Sequence, residues 1–155
     1  LAPPSSPAPR KRVLVVDDDE TNRDLARHIL QLSRFAVDVA VSGEEALVLM
    51  DQATAAGLTY DIVVADLMMP GMSGTDLASV LVERGKPPRL VCVTGRVAPT
   101  TLEMCAAAGF DVVVTKPYRM ASLLLAVMGE GSSSRSSPSR HMPPRPAALS
   151  GTYSL

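Results

Sequence analysis

Several residues that could do chemistry follow short apolar runs in this 155-residue chain. Asp17 and Asp18 follow one run, Asp66 follows another and Thr94 a third, and Lys116 lies just beyond the last. Two carboxylates about 4 Å apart repel each other by roughly 4 kcal/mol at an effective dielectric of 20. Such an acidic cluster is typical of a divalent-cation site, and ligands that are all oxygen atoms favour Mg²⁺.

The same residue types also suit phosphoryl chemistry. The ammonium of Lys116 supplies a positive charge for phosphoryl oxygens, and the hydroxyl of Thr94 supplies a hydrogen-bond donor. An aspartate such as Asp66 can act as the nucleophile and form an aspartyl phosphate. Any one of these residues alone fits a solvated loop, so it is their joint occurrence that favours a site.

The residues converge only if the apolar runs form one parallel sheet. The runs are near-continuous and rich in β-branched residues, which is typical of strands buried on both faces. Helical patterns separate them, which predicts an α/β fold: a five-stranded parallel, doubly wound sheet with helices on both faces. The carboxyl ends of all the strands then lie on one edge, where ligands bind. The predicted strands are 13–16, 37–40, 62–65, 90–93 and 112–114.

The helices are predicted from apolar stripes and capping residues. Thr21 is the expected N-cap of the first helix, and Ser42 with Glu45 predicts a capping box at the start of the second. The expected inward stripe of the first helix is Leu25, Ala26, Ile29, Leu30 and Leu32. Further helices are predicted at 75–84, 99–108 and 120–128.

Composition divides the chain into three parts. Residues 1–11 predict a flexible Pro/Ala/Ser linker, 12–128 a single folded domain, and 129–155 a disordered Ser/Pro/Arg-rich tail. The middle part holds 10 Lys/Arg against 15 Asp/Glu, which argues against nucleic-acid binding by this domain. No apolar run reaches the length of a membrane span, so no membrane contact by this domain is expected. Cys92 and Cys105 lack a metal-type spacing, which favours two free thiols in a reducing compartment, the cytoplasm.

The segment 12–128 resembles the receiver domains of two-component response regulators. The resemblance rests on the stretches VLVVDDDETNR, IVVADLMMPGMSG, LVCVTG and VVVTKPY, which match that family in order and spacing. It implies the flavodoxin-like strand order 2-1-3-4-5. It also implies a cis peptide bond before Pro117.

The resemblance further implies a role for each matching residue. Asp66 accepts the phosphoryl group, Thr94 moves to bond one of its oxygens, and Lys116 pairs with another. The implied cofactor is Mg²⁺, and its implied ligands are Asp17, Asp18, Asp66 and the backbone carbonyl of Met68.

A receiver of this kind acts as a signalling module and not as an enzyme. The implied function is acceptance of a phosphoryl group from phosphohistidine, followed by a conformational switch. The expected partners are a histidine kinase, a histidine-phosphotransfer protein or both. The pair Asn22-Arg23 favours the C-terminal receiver of a hybrid sensor histidine kinase as the parent protein.

Two alternatives remain open from the sequence. Asp17–Thr21 also spells the D-x-D-x-T nucleophile motif of Mg²⁺-dependent haloacid-dehalogenase-type phosphatases, although no acidic motif follows Lys116 within the domain. Receivers often carry Tyr or Phe three residues before the lysine, where this chain has Val113. That departure allows a receiver-like binding module that is never phosphorylated.

Overall fold

The computed structural model describes residues 9–129 and 152–153. Strands and helices alternate along the domain, as the sequence predicted. The elements are β1 (Arg12–Val16), α1 (Glu20–Leu32), β2 (Ala36–Ala40), α2 (Gly43–Ala55), β3 (Ile62–Asp66), α3 (Gly74–Glu83), β4 (Arg89–Thr94), α4 (Pro99–Ala108), β5 (Val112–Thr115), α5 (Met120–Met128) and β6 (Thr152–Tyr153).

The first five strands pair in parallel in the order β2-β1-β3-β4-β5. The predicted fold class and strand order are therefore confirmed. β1 lies next to β3, and β4 lies between β3 and β5, so the ends of β1, β3, β4 and β5 are neighbours at one edge. This order brings together residues that are up to 99 positions apart in the sequence.

The sheet has a hydrophobic core on each face because its strands alternate two sets of apolar side chains. Leu14 and Val16 lie in one cluster, with buried residues of α2, α3 and α4. Val13 and Val15 lie in the other cluster, with buried residues of α1 and α5. All four side chains are at most 2% exposed, which explains why this run is apolar throughout.

A sixth strand, β6, pairs in parallel with β5, with Thr152 opposite Val113 and Tyr153 opposite Val114. These two residues lie within the segment 129–155 that the sequence predicts to be a disordered tail, and here they form a strand. A strand at the edge of a sheet offers unpaired backbone groups, so a short extended segment can pair there without a side-chain pattern that reveals it. Residues 1–8 of the predicted linker (1–11) and the rest of the predicted tail, beyond Gly129, lie outside the described residues.

The start of α1 corrects one sequence prediction. Asp19, and not Thr21, is the N-cap, because its Oδ1 accepts the backbone N–H of Asn22 at 2.9 Å. The inward stripe is also narrower than expected. Leu25 and Leu32 are 46% and 61% exposed, since they lie seven residues apart on the flank of the helix that faces solvent. The buried residues of α1 are Ala26, Ile29 and Leu30.

At the N-terminus of α2 the structure shows one half of the predicted capping box, in which the Ser42 hydroxyl accepts the N–H of Glu45 at 3.1 Å. A reciprocal capping box is present at α3, where Ser73 and Asp76 each accept the other's backbone N–H. None of the helices in the described part of the chain combines the length and the apolar character that a membrane span requires.

Candidate functional site

Three carboxylates meet where β1 and β3 end. Asp17 and Asp18 directly follow β1, and Asp66 is the last residue of β3. One oxygen from each carboxylate lies within 4.8 Å of the others. Asp17 and Asp66 are buried while Asp18 is exposed, so the cluster faces solvent on one side.

Lys116 is the cation of this cluster. Its Nζ lies 3.2 Å from Asp17 Oδ2 and 3.2 Å from Asp66 Oδ2. Its backbone N–H donates to the carbonyl of Thr94 at 2.8 Å, which ties the end of β5 to the end of β4. The peptide bond between Lys116 and Pro117 is cis, as the resemblance implied.

Burial and charge act in opposite directions on the pKa values of the pair. Burial raises the pKa of Asp66, and the charge of Asp17 adds to this, so that the nearby Lys116 only partly offsets the rise. For Lys116, burial alone would lower the pKa, but the charges and hydrogen bonds of Asp66 and Asp17 outweigh it and raise the pKa. The lysine is therefore a permanent positive charge beside the two buried carboxyl groups.

Thr94 lies at the end of β4 and is 1% exposed. Its hydroxyl accepts the N–H of Arg96 at 3.2 Å and lies 3.3 Å from the carbonyl oxygen of the same residue. The structure thus places Thr94 beside the carboxylate cluster through its backbone, with its hydroxyl bonded to the loop that leads into α4.

A match along almost the whole folded part of the chain identifies the family. Residues 13–128 match the response regulator receiver domain. The chain belongs to this family. The prediction of a receiver is confirmed, and the DDDET stretch falls within the receiver match.

Relatives and a solved structure agree with this assignment. The receiver is 36% identical over 115 residues to the sensory transduction protein RegX3 of Mycobacterium tuberculosis, covering 74% of this chain and 48% of that protein. It is 34% identical over 120 residues to the aerobic respiration control sensor protein ArcB of Escherichia coli, covering 76% of this chain and 15% of that protein. The chain thus spans less than half the length of either relative.

Among solved structures, the receiver is similar to the CheX–CheY–BeF₃–Mg²⁺ complex of Borrelia burgdorferi. The TM-score is 0.70 at 28% identity, covering 76% of this chain and 87% of that chain. The fold is therefore shared with a solved structure of a response-regulator complex.

The loop after Asp66 is packed against the backbone of the site. The N–H of Met68 donates to Asp66 Oδ1 at 3.2 Å, and the N–H of Gly74 donates to the carbonyl of Leu67 at 3.0 Å. A Cβ at position 74 would overlap the carbonyl oxygen of Asp66, so only glycine fits there without displacing the backbone. The Met68 side chain is 73% exposed, and the role of its carbonyl as a metal ligand stays a prediction.

Two further contacts of the receiver site were not predicted from sequence. Arg23 on α1 donates through Nη1 to the backbone carbonyl of Asp17 at 2.8 Å. Glu44 on α2 accepts the backbone N–H of Met72 at 2.9 Å and so holds the loop that follows β3. Both contacts join residues whose closeness depends on helix packing, which no local motif indicates.

Glu44→Gln is expected to loosen this loop in a pH-dependent way. The pKa of Glu44 is lowered by its own backbone N–H and by that of Met72, since both donate to the charged carboxylate. A lowered pKa in the folded state means that the stabilisation is present above the unfolded-state pKa, near 4.5, and is lost as the pH falls through the folded-state pKa. In NMR titrations the Met72 amide proton should therefore shift with a midpoint below 4.5.

In Glu44→Gln the Met72 titration should disappear, and the Met72 amide should exchange with solvent faster than in the wild type. Glu45→Gln is the matched control, because the contact of Glu45 at this helix start is made by its backbone N–H. A Met72 titration that persists in Glu44→Gln would show that another group holds the loop.

Proposed function

We propose that this receiver accepts a phosphoryl group from phosphohistidine onto Asp66 and switches conformation in response. The observation that carries the proposal is the position of Lys116, whose Nζ lies 3.2 Å from both Asp17 and Asp66. A buried carboxylate with a cation fixed at its oxygens is arranged to receive a group whose own oxygens carry negative charge. Membership of the receiver family supports the same reading.

The three carboxylates fit Mg²⁺. They offer hard oxygen ligands within 4.8 Å of one another, and Asp18 leaves the cluster open to solvent for the waters that Mg²⁺ retains. Asp17, Asp18, Asp66 and the carbonyl of Met68 would hold the ion. When bound, the ion neutralises charge on the transferred group and orients it. That the similar CheX–CheY complex contains Mg²⁺ and a beryllofluoride supports this assignment.

The chain's own residues supply the nucleophile, a positive charge for the transferred group, and a side chain that starts the conformational switch. A carboxylate oxygen of Asp66 attacks the phosphorus atom, the phosphorus–nitrogen bond to histidine breaks, and the imidazole leaves. Lys116 pairs with an oxygen of the transferred group and keeps it in place. Thr94 has to release its bonds to Arg96 before its hydroxyl can reach that group. This release couples phosphorylation to the loop at 95–98.

Phosphoryl transfer onto Asp66 is expected only in the presence of Mg²⁺. Incubation with a phosphohistidine donor, or with acetyl phosphate, should label the wild type with an acyl phosphate that is labile to hydroxylamine and to base. Asp66→Asn removes the nucleophile and should abolish labelling. The matched control is Asp51→Asn, an exposed acid paired with Arg84, and it should label like the wild type.

The Asp18→Asn variant tests the metal site separately from the nucleophile. The variant should lose the Mg²⁺-dependent rise in melting temperature, because an ion bound only by the folded state stabilises it by mass action.

In the labelling experiment, a label that resists hydroxylamine, or that persists in Asp66→Asn, would overturn the assignment of Asp66 as the phosphoacceptor. An unchanged Mg²⁺ response in Asp18→Asn would remove Asp18 from the ligand set.

The parent protein and its partners are part of the proposal. We keep the C-terminal receiver of a hybrid sensor histidine kinase as the parent, and the likeness to the sensor protein ArcB supports it. The likeness to RegX3 supports instead a receiver within a sensory transduction protein. In either setting the proposed donor is a phosphohistidine of a kinase or of a phosphotransfer protein, and the proposed location is the cytoplasm, which the two free thiols favour.

A further inference from the structure

The two cysteines of this chain lie against each other inside the domain. Cys92 on β4 and Cys105 on α4 are free thiols, both 0% exposed, with their Sγ atoms 3.6 Å apart. A disulfide has a sulfur–sulfur bond of about 2.05 Å, so the atoms would have to approach by roughly 1.5 Å. The chain contains no other cysteine, so an intramolecular disulfide could form only between these two.

The helix that carries Cys105 is weakly attached to the sheet. In α4 the buried residues are Cys105 and Ala108, both small, and Leu102 packs partly buried against the same core. The N-cap, Ala98, has no side chain to bond the first N–H groups of the helix. Segments with few buried apolar contacts open locally at low free-energy cost, so α4 is the element whose movement exposes the thiols.

The pair is also chemically asymmetric. The hydrogen bond between the sulfurs lowers the pKa of Cys105 and raises that of Cys92, because one thiol can donate to the other's thiolate. Cys105 lies on α4 and Cys92 lies inside the sheet, so the movement of α4 exposes Cys105 to an oxidant first, and its thiolate is the nucleophile.

We propose that Cys92 and Cys105 form a site of reversible oxidation that takes a hydroperoxide as its oxidant. The Cys105 thiolate attacks the peroxide oxygen, the O–O bond breaks, and an alcohol or water leaves, which gives a sulfenic acid. The Cys92 sulfur then attacks that sulfur, its proton passes to the departing hydroxyl group, and water leaves. Two thiols and one hydroperoxide become one disulfide, one alcohol and one water, with two electrons passing from sulfur to oxygen. Intracellular disulfides are usually of this transient, redox-sensing kind.

The disulfide would enclose the part of the receiver that is expected to switch. The ring closed by the bond runs from Cys92 to Cys105 and contains Thr94 and the loop at 95–98. Cys92 and Thr94 lie on the same face of β4, since side chains alternate along a strand. Resting on the proposed function, the inference is that oxidation fixes α4 against β4 and blocks the response of this loop to phosphorylation.

The first test measures the bond itself in the full chain. The reduced protein is treated with hydrogen peroxide, denatured and alkylated, and its mass is measured by mass spectrometry. We expect a monomer lighter by two hydrogen atoms that resists alkylation, with the Cys92 and Cys105 peptides joined. Its melting temperature should rise by about 5 °C or more. Cys105→Ala, or Cys92→Val if the first variant does not fold, should lose both effects. Two alkylated thiols, a sulfinic acid, or dimers joined between chains would overturn the proposal.

The second test measures the consequence and separates the two proposals. Beryllofluoride-induced chemical-shift changes at 95–98 should be present in the reduced protein, lost in the oxidised protein and restored by dithiothreitol. Equal changes in both forms would overturn the regulatory claim. A reduced protein that shows no response and takes no phosphoryl group would count against the proposed function, while the mass result would still decide the disulfide.

Discussion

Lys116→Met is expected to destabilise the metal-free receiver by about 2 kcal/mol. Removing one partner of a buried ion pair leaves the other charge uncompensated, and here the side chain of Lys116 serves both Asp17 and Asp66. The expected loss is below the full cost of a buried unpaired charge, because the Lys116 side chain is 20% exposed and solvent screens part of the interaction. Urea unfolding in the presence of a chelator measures the difference.

The same substitution should strengthen Mg²⁺ binding, by about tenfold, because the ammonium no longer repels the ion. Saturating Mg²⁺ should then recover most of the lost stability by mass action. Lys11→Met, an exposed lysine ahead of β1, is the matched control and should behave like the wild type. Equal stability of Lys116→Met and the wild type in chelator, or a weaker Mg²⁺ response, would contradict the role assigned to the lysine.

The pH dependence of the stability lost in Lys116→Met follows from the raised pKa values of Lys116 and Asp66. The raised pKa of Lys116 means that its stabilisation is present below the ordinary lysine value of 10.5 and is lost as the pH rises through the folded-state pKa. The raised pKa of Asp66 means that the folded state is relieved of a buried charge as the pH falls through that pKa. The difference between wild type and Lys116→Met should therefore be largest near neutral pH and shrink at both extremes.

Gly74→Ala is expected to lower the free energy of unfolding by about 2 kcal/mol, against the usual trend. At a helix start, alanine in place of glycine is normally neutral or stabilising by up to about 1 kcal/mol. Here the added Cβ would overlap the Asp66 carbonyl oxygen and crowd Leu67 Cα, which are backbone atoms that cannot rotate away. Thermal or urea unfolding measures the change.

Because the displaced backbone belongs to Asp66, Gly74→Ala should also slow phosphoryl uptake by at least about tenfold, since transfer depends on positioning. Gly95→Ala is the matched control for stability, because nothing lies within 4 Å of a Cβ at that position. A Gly74→Ala protein as stable as Gly95→Ala would show that the loop yields without cost.

The fold and the central site were predictable because their signals are local. Each strand is a near-continuous apolar run, and each of the five site side chains lies within two residues of the end of one. The rule that the carboxyl ends of parallel strands share an edge therefore brings them together. The contacts and exposures that the sequence did not reveal depend on how the helices pack against the sheet and the loops. The Glu44–Met72 bond joins residues 28 positions apart, and its formation depends on how α2 lies against the loop after β3. The exposure of Leu25 and Leu32 likewise depends on the width of the buried stripe, which the helical period does not specify.

The choice between Asp19 and Thr21 as the N-cap of α1 shows a different limit of prediction from sequence. Both residue types are good caps and they lie two positions apart, so composition cannot separate them. The backbone decides: Asp19 is extended, and its N–H is already fixed by Asp17 Oδ1 at 2.9 Å. The cap and the carboxylate cluster are thus built by the same turn, which the D-D-D run does not indicate.

Strand β6 also affects the tendency of this receiver to aggregate through the edges of its sheet. An open sheet can nucleate aggregation through the unpaired amides and carbonyls of its outermost strands. By laying Thr152–Tyr153 along β5, the chain occupies one of its two outermost positions with its own residues. At the other, β2 carries Asp38, a half-exposed charge held by Arg12 at 3.1 Å and by the Tyr60 hydroxyl at 2.6 Å. One outermost strand is therefore only two residues long as described, and the other carries a fixed charge, and both features disfavour pairing with an incoming strand.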